Sequence, residues 1–250
     1  MTGRAAPPKQ RADQLLVDRG LAESRARAQA LILAGKVFSG EARIDKPGQA
    51  LAADRPLSLR GQDHPWVSRG GVKLAHGLAH FGLSPAGRVC LDVGASTGGF
   101  TEVLLAHGAA LVFAVDVGRD QLHPSLRNHS RIVSMEQTDI RSYEGKRLPQ
   151  RPDVVVIDCS FISLKSVLPV ALSLAASPMS LLALIKPQFE AQGKHGKGGI
   201  IKDAAVHQAV CDDVAAFAAA LGCSDIEIFP SCIKGGDGNA EFFLGARRHG

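Results

Sequence analysis

Residues 91–100 read LDVGASTGGF, and this stretch decides the fold class. The apolar run Arg88–Val93 predicts a strand, and Thr101–His107 predicts a helix that begins directly after the glycines. Glycine lets a backbone approach a ligand closely, and a helix N-terminus offers unpaired N–H groups to an anion or a carboxylate. An ordinary strand-to-helix turn contains the same glycines, so the stretch predicts the turn and leaves its ligand open.

Apolar runs and helical stretches alternate along the chain on both sides of this loop. The other predicted strands are Leu111–Asp116, Ile132–Met135, Asp153–Ile157, Leu181–Ile185, Ile226–Phe229 and Glu241–Gly245, and the other predicted helices are Gly71–Phe81, Leu164–Ala176 and Ala204–Leu221. Continuous apolar strands separated by helices indicate an α/β fold whose mostly parallel sheet is covered on both faces. Ligands of such sheets bind beyond the carboxyl ends of the strands, which directs attention to aspartates at those ends. These are Asp92, Asp116, Asp139 and Asp158, of which Asp139 ends the weakest strand.

The cofactor is predicted from the glycine loop together with Asp116, which lies 18 residues after Gly98. A carboxylate at the end of the next strand accepts hydrogen bonds from both ribose hydroxyls of an adenosine cofactor, and NAD would use the same geometry. Residues 94–99 lack the G-x-G-x-x-G order of NAD loops and resemble the S-adenosylmethionine loop of class I methyltransferases. The resemblance implies a Rossmann-like fold that binds S-adenosylmethionine. It implies as cofactor-binding residues Asp92, Gly94, Ser96, Gly98, Gly99, Phe100, Asp116 and Asp139.

Composition excludes several classes of protein. The chain has 250 residues, is 45% hydrophobic and carries a formal net charge of +5, which excludes wholesale disorder. Its five cysteines form no CxxC pair, and its nine histidines have no metal-ligand spacing, so we expect neither a disulfide scaffold nor a bound metal. The N-terminus has no apolar segment after its basic residues, which predicts no secretory signal and a cytoplasmic protein.

One uncharged stretch, Val167–Ile185, is long enough to be tested as a membrane span. Pro169 interrupts it, and Ser177-Pro178 divides it into a helix-like half and a strand-like half. We therefore expect a buried part of a globular protein and no association with a membrane.

Most of the positive charge lies in the first quarter of the chain, since residues 1–66 contain 11 Lys and Arg against 7 Asp and Glu. Residues 11–40 predict two helices separated by a turn, with Gly20 ending the first and Ser24 capping the second. Short strands are predicted over Val37–Phe38, Ala42–Ile44 and Pro56–Leu59. Composition alone is equally typical of a solvated helical surface, but a basic module in a cytoplasmic protein often binds nucleic acid.

The order L-x-x-x-G-L-A-x-S-R-x-x-A-x-x-L-I-x-x-G-x-V in this segment resembles the small RNA-binding domain first seen in ribosomal small-subunit protein four. The domain boundaries are therefore predicted as 1–61 for a small α+β RNA-binding domain with a loose tail over Met1–Gln10, 62–68 for a linker, and 69–250 for a methyltransferase domain. The resemblance implies RNA contacts, and the candidate RNA-binding residues are Arg11, Arg25, Arg27, Lys36 and Arg69.

Four charged residues stand in short motifs outside the glycine loop: Lys73 in SRGGVKL, Asp158 in VVVIDCSF, Lys186 in LLALIKPQFE and Glu241 in GNAEFF. Each alone is most often a surface charge at the end of an element. Their order resembles the Lys-Asp-Lys-Glu set of ribose 2′-O-methyltransferases related to FtsJ. Together with the basic N-terminal segment, the chain resembles the TlyA, or hemolysin A, family of rRNA 2′-O-methyltransferases, which implies methylation of a cytidine ribose in ribosomal RNA.

The chemistry of that reaction explains the four residues. A ribose hydroxyl is a weak nucleophile that has to be aligned with the methyl group and has to lose its proton. Lys186 can accept the proton only if burial and the charge of Lys73 lower its pKa, whereas a close carboxylate would raise it. The sequence leaves open whether Lys186 removes the proton or only positions the hydroxyl.

Three other functions fit parts of the sequence. Cys159 follows Asp158, and a cysteine nucleophile is used for methylation at carbon 5 of pyrimidines, although a buried inert cysteine is more common. The chain could also bind RNA or assist ribosome assembly without catalysis. The hemolysin name of the family suggests membrane lysis, which the interrupted apolar stretch opposes. Residues 192–199, QGKHGKGG, are predicted to form a mobile loop whose lysines either contact RNA or are solvated.

Overall fold

The computed structural model describes residues 8–60, 64–143, 148–191 and 199–250. The chain divides into two compact units, Met1–Pro65 and Trp66–Gly250, and the division lies inside the predicted linker 62–68. All of the predicted loop 192–199 except Gly199 lies outside the described residues.

Over residues 8–60, the first unit forms two helices and five short strands around a small apolar core. The elements are β1 (Lys9–Arg11), α1 (Ala12–Asp18), α2 (Arg25–Leu33), β2 (Val37–Ser39), β3 (Ala42–Arg43), β4 (Ala50–Ala52) and β5 (Ser58–Leu59). Ser24 caps α2 as predicted, because its Oγ accepts a hydrogen bond from the N–H of Arg27 at 3.2 Å. The prediction of a loose tail is wrong for Lys9 and Gln10, since β1 pairs antiparallel with β4.

The described part of the second unit contains a seven-stranded sheet. Its strands are β6 (Val89–Val93), β7 (Leu111–Val115), β8 (Ile132–Met135), β9 (Val154–Ile157), β10 (Met179–Ile185), β11 (Ser224–Pro230) and β12 (Phe242–Arg248). Their order is β11-β12-β10-β9-β6-β7-β8; β12 pairs antiparallel with β10 and with β11, and the other neighbouring strands pair in parallel. The predicted mostly parallel α/β fold is confirmed. The order reverses between β6 and β9, which is where ligands of such sheets bind.

Helices cover both faces of this sheet. They are α3 (Arg69–Phe81), α4 (Gly99–Ala106), α5 (Pro124–Arg127), α6 (Leu164–Leu174), α7 (Pro187–Glu190) and α8 (Ala204–Ala220), and a 3-10 turn spans Ile140–Tyr143. Alternate strand residues point to opposite faces, so Leu91 and Val155 pack with α6 and α8, while Cys90 and Val154 pack with α3 and α4. This double cover explains why the central strands are apolar without interruption.

One local prediction needs correction. Asp139 does not end a strand, since β8 ends at Met135 and Asp139 directly precedes the 3-10 turn. Pro187 follows the end of β10 and begins α7, because a proline fits the first position of a helix where no N–H bond is required.

The uncharged stretch Val167–Ile185 folds as expected into most of α6, a turn at Ser177-Pro178 and the buried strand β10. Within the described ranges we find no helix with both the length and the apolar character that a bilayer crossing requires.

Candidate active site

The glycine loop after β6 lies against the segment that follows β9. Gly94 has φ +84°, and a Cβ built on it would lie 2.6 Å from the backbone oxygen of Asp158. Gly98 has φ +92° and begins the turn into α4. A side chain at Gly94 would therefore separate the two loops, which explains why glycine is required at the point where the strand order reverses.

Asp116 fixes the shape of this loop from the end of β7. Its two carboxylate oxygens accept hydrogen bonds from the N–H groups of Ser96, at 2.8 Å, and Gly118, at 2.7 Å. Ser96 itself has a positive φ of +47°, an uncommon conformation that this bond stabilises. Because each carboxylate oxygen has a second lone pair, Asp116 retains acceptor capacity for a ligand hydroxyl.

Asp92 is fully buried on β6. Thr101 Oγ1 donates to its Oδ2 at 2.6 Å, while its Oδ1 has no hydrogen-bond partner within the described residues. Burial, together with the charges of Asp158 and Asp116, raises the pKa of Asp92 to about 7. A buried acceptor without a partner beside a glycine loop is a feature that a bound polar group would satisfy.

Two of the predicted cofactor residues have other partners in this structure. Phe100 is buried in the core between α3, α4 and the sheet. Asp139 pairs with Arg141 at 2.5 Å, and hydrogen bonds from that arginine lower the pKa of the carboxyl group. Gly99 packs closely, since a Cβ there would lie 2.9 Å from the backbone nitrogen of Gly71 in α3.

The four motif residues come together as two buried ion pairs. Lys186, at the end of β10, contacts Asp158 Oδ1 at 2.5 Å, and Lys73, on α3, contacts Glu241 Oε2 at 2.6 Å. Lys73, Lys186 and Glu241 are all buried, and Asp158 is nearly so. Asp158 and Lys186 each directly follow the end of one of two neighbouring strands, because β9 and β10 pair in parallel.

The electrostatics of Lys186 differ from the sequence-based expectation. Burial acts to lower its pKa, but the adjacent Asp158 carboxylate, with a further contribution from Glu241, raises the pKa above its ordinary value. Burial also raises the pKa of Glu241, against the opposing effect of Lys73. The close carboxylate named in the sequence analysis as the opposing effect is therefore present, the condition for Lys186 to act as a base is not met in this state of the protein, and the lysine is held as an ammonium ion.

Comparison with known proteins agrees with this arrangement. The family model described as FtsJ-like methyltransferase matches residues 66–248, and the S4 domain model matches residues 10–54. The chain belongs to the FtsJ-like methyltransferase family. The resemblance drawn from the sequence motifs is thereby confirmed.

Several relatives extend over nearly the whole chain. The 16S/23S rRNA (cytidine-2′-O)-methyltransferase TlyA of Mycobacterium tuberculosis is 44% identical over 95% of this chain and 89% of its own length. A candidate rRNA methyltransferase, YqxC of Bacillus subtilis, is 45% identical over 94% of this chain and 85% of its own length. The solved structure of a candidate hemolysin from Streptococcus thermophilus superposes with a TM-score of 0.78 at 40% identity, covering 98% of this chain and 90% of that protein.

The loop after β9 contributes two residues to this FtsJ-like site that sequence reasoning missed. Lys186 Nζ donates to Ser160 Oγ at 2.9 Å. Phe161 is 90% exposed, has a positive φ of +64°, and its ring centroid lies 5.1 Å from that of Phe189. Both residues stand in the motif IDCSF, residues 157–161, but the sequence alone shows neither the positive φ of Phe161 nor the exposure of its ring.

Cys159 does not have the properties of a nucleophile. Burial, followed by the charge of Asp158, raises the pKa of its thiol to about 12. Its Sγ lies 3.7 Å from the backbone oxygen of Val93. A thiol that stays protonated near neutral pH is a poor nucleophile, so this structure opposes the carbon-5 mechanism.

The predicted RNA-binding residues lie in two places. Arg11 and Arg25 meet at the carboxylate of Asp13 in the first unit. Arg27 lies in the first turn of α2, and Lys36 follows that helix. Arg69 belongs to the second unit and donates to the backbone oxygen of Lys234 at 2.6 Å, so it braces the loop before Glu241. Among the residues that the structure describes, no group of three or more His, Cys, Asp or Glu is arranged to hold a metal ion.

Proposed function

We propose that this protein transfers the methyl group of S-adenosylmethionine to the 2′-hydroxyl of a cytidine in ribosomal RNA. The observation that carries the proposal is the pair of buried ion pairs, Lys186 with Asp158 and Lys73 with Glu241, beside the glycine loop. The names of the TlyA relatives support the choice of ribosomal RNA and of cytidine. The protein would act in the cytoplasm, where ribosomal subunits are assembled.

The residues around the glycine loop fit S-adenosylmethionine. Asp116 has lone pairs left for ribose hydroxyls, and Asp92 Oδ1 is a buried acceptor without a partner in the described residues. Gly94 and Gly98 place no side chain at the two ends of the loop, and Ser96 completes its turn. When bound, S-adenosylmethionine supplies an electrophilic methyl group on a positively charged sulfur.

The chain's own groups would position and deprotonate the hydroxyl. Ser160 and Asp158 hold the amine of Lys186 in one place, which would align a hydroxyl placed beside it. Glu241 and Lys73 form the second pair, which holds α3 to the start of β12. In this proposal Lys186 accepts the hydroxyl proton. Its ammonium group, which is paired with Asp158, must first lose one of its own protons so that the amine is neutral.

We further propose that Phe161 stacks on the target base. A bulky residue with a positive φ is strained, and strain of this kind is found where function requires it. The exposed ring lies two residues beyond Cys159 and next to Ser160, which contacts Lys186. An aromatic surface at this place would hold an unstacked nucleotide with its ribose near the amine.

Phe161→Ala is expected to raise KM for the RNA substrate about tenfold, because loss of a base–aromatic stack costs about 1–3 kcal/mol. The affinity for S-adenosylmethionine should stay unchanged. The measurement is steady-state methyl transfer with varied RNA. Phe161→Trp should restore most of the activity and Phe161→Leu should not; equal KM values for the Leu and wild-type proteins would show that stacking is not its role.

The function itself is tested by incubating the protein with cofactor labelled in the methyl group and with separate ribosomal subunits. We expect label in ribosomal RNA, and nucleoside analysis should find it on the ribose of cytidine. Label on the base would contradict the proposal and favour carbon-5 chemistry. RNA binding without any label would favour a role in assembly, and leakage of liposomes by the purified protein would favour lysis.

A further inference from the structure

Within the described residues of the first unit, one carboxylate is fully buried, that of Asp13 in the first turn of α1. Its side chain is 0% exposed, and it directly follows Ala12, a residue of the apolar core. Burial of an ionised group is costly unless it is paired and hydrogen-bonded. The Asp13 carboxylate therefore needs hydrogen-bond donors around it, and the identity of these donors indicates what the residue does.

Asp13 is surrounded by donors from three side chains and one backbone group. Arg11 donates to both of its oxygens, from Nε at 3.0 Å and from Nη2 at 2.9 Å. Arg25 Nη2 donates at 3.3 Å, Gln29 Nε2 at 2.9 Å, and the N–H of Gln14 at 3.0 Å. Hydrogen bonds from Arg11 above all, with Gln29 and Arg25, lower the pKa of Asp13, so the carboxylate stays ionised at neutral pH.

The two arginines are not buried with their partner. The side chains of Arg11 and Arg25 are 52% and 53% exposed, so each guanidinium touches the buried carboxylate with one edge and faces solvent with the rest. Arg11 is confined further, because a Cβ on Gly48 would lie 3.1 Å from its Nη1. A guanidinium has five N–H donors, and Asp13 takes two of those on Arg11.

We propose that Asp13 is a positioning residue that holds Arg11 and Arg25 side by side as a preformed site for an RNA phosphate. The proposal rests on the proposed function, methylation of ribosomal RNA, and on the match of residues 10–54 to the S4 domain, the small domain whose resemblance implies RNA contacts. A free arginine loses much rotational freedom when it binds a phosphate. Arginines that are already held by a buried carboxylate lose less rotational freedom when they bind a phosphate. The site therefore binds the phosphate more tightly than two free arginines would, although the carboxylate itself is negative.

The direction in which one substitution changes the RNA affinity distinguishes positioning of the arginines from simple charge attraction. Asp13→Asn removes a negative charge next to two arginines, and attraction by charge alone would then strengthen RNA binding. Loss of positioning instead weakens it. We expect Asp13→Asn to weaken binding about tenfold, as for the loss of one charge-assisted hydrogen bond. The salt dependence, plotted as log K against log salt, should flatten by about 0.7 to 0.9 for each phosphate that the variant no longer binds.

Asp18→Asn is the matched control, because Asp18 ends the same helix and the substitution makes the same change in charge. Asp18 accepts hydrogen bonds from the amides of Gln10 and Gln14, whereas Asp13 is the acceptor for the two arginines. We expect the RNA affinity of Asp18→Asn to be equal to or slightly higher than that of the wild-type protein. Binding by Asp13→Asn that is as tight as binding by Asp18→Asn would overturn the proposal.

Two further variants keep the test decisive. If thermal unfolding shows that Asp13→Asn disrupts the fold, Asp13→Glu keeps the charge and displaces the carboxylate, so it should also weaken binding; unchanged affinity would overturn the proposal. In the Asp13→Asn background, Arg11→Ala should cost less affinity than in wild type. Binding is measured to the ribosomal subunit that the wild-type protein methylates. If the wild-type protein methylates neither subunit, the proposed function is refuted. If it methylates one subunit normally and Asp13→Asn binds that subunit as tightly as Asp18→Asn does, only the proposal for Asp13 is refuted.

Discussion

Lys186→Ala is expected to lower kcat for methyl transfer about 1,000-fold or more, since in the proposed mechanism alignment of the hydroxyl and removal of its proton both depend on this amine. The dissociation constant for S-adenosylmethionine should change little, because Asp116 shapes the glycine loop through backbone N–H groups, whereas Lys186 bonds to Ser160 and Asp158. Single-turnover methylation and equilibrium cofactor binding measure the two quantities separately.

Lys165→Ala serves as the control. Lys165 also pairs with a carboxylate, that of Asp213, but it lies on α6 and not among the four motif residues. Its kcat should stay close to that of wild type. Lys186→Ala leaves Asp158 without its cation and so destabilises the fold. The double variant Lys186→Met with Asp158→Asn removes both charges and should fold but remain inactive. Turnover near the wild-type rate in either folded variant would refute the catalytic assignment of Lys186.

The pH dependence of the wild-type reaction tests which form of Lys186 acts. Because Asp158 and Glu241 raise the pKa of Lys186 above its ordinary value against the effect of burial, the neutral amine is scarce near neutral pH. If Lys186 accepts the proton, kcat/KM should rise about tenfold per pH unit between about pH 7 and pH 9. A flat profile would mean that Lys186 acts as an ammonium ion that positions the hydroxyl.

Gly94→Ala should lower methyl transfer about 100-fold, because displacements of about 1 Å in an active site have effects of this size. The alanine Cβ would lie 2.6 Å from the backbone oxygen of Asp158, where ordinary contact begins at 3.4 Å. The Asp158 loop therefore has to move, and with it the partner of Lys186. The left-handed conformation at φ +84° adds about 1–2 kcal/mol of strain to an alanine.

Gly222→Ala isolates the strain from the contact. Gly222 has φ +86°, and a Cβ there would meet no atom of the described chain within 4 Å. This variant should lose a similar amount of stability from strain alone and keep full activity. Thermal unfolding and initial rates of both variants provide the comparison. Equal activities for the two glycine variants would show that the contact with Asp158 has no functional effect.

Much of this molecule is predictable from local sequence. The apolar runs predicted β6, β7 and β9, because strands buried on both faces are apolar without interruption. Glycines marked the sharp turns, and Ser24 marked the start of α2. The four motif residues were found from their places at the ends of elements and from resemblance to a family, and the match of the FtsJ-like model over residues 66–248 confirmed that family.

Other properties depend on which elements meet. The sequence named Lys73 and Glu241, but their pairing follows from packing of α3 near β12, a strand that runs antiparallel between β10 and β11. The raised pKa of Lys186 depends on a carboxylate brought to 2.5 Å by the neighbouring strand. The order of strands in the sheet is not encoded in any local pattern.

The sequence by itself determined the class of fold, the basic character of the first segment and the candidates for the reactive side chains, because periodicity, turn residues and charge are local properties. Only the tertiary structure decided which charges pair, which protonation states result, and that Asp13 is buried beneath two exposed arginines. Those properties depend on distances and burial, and both arise only when distant segments of the chain pack together.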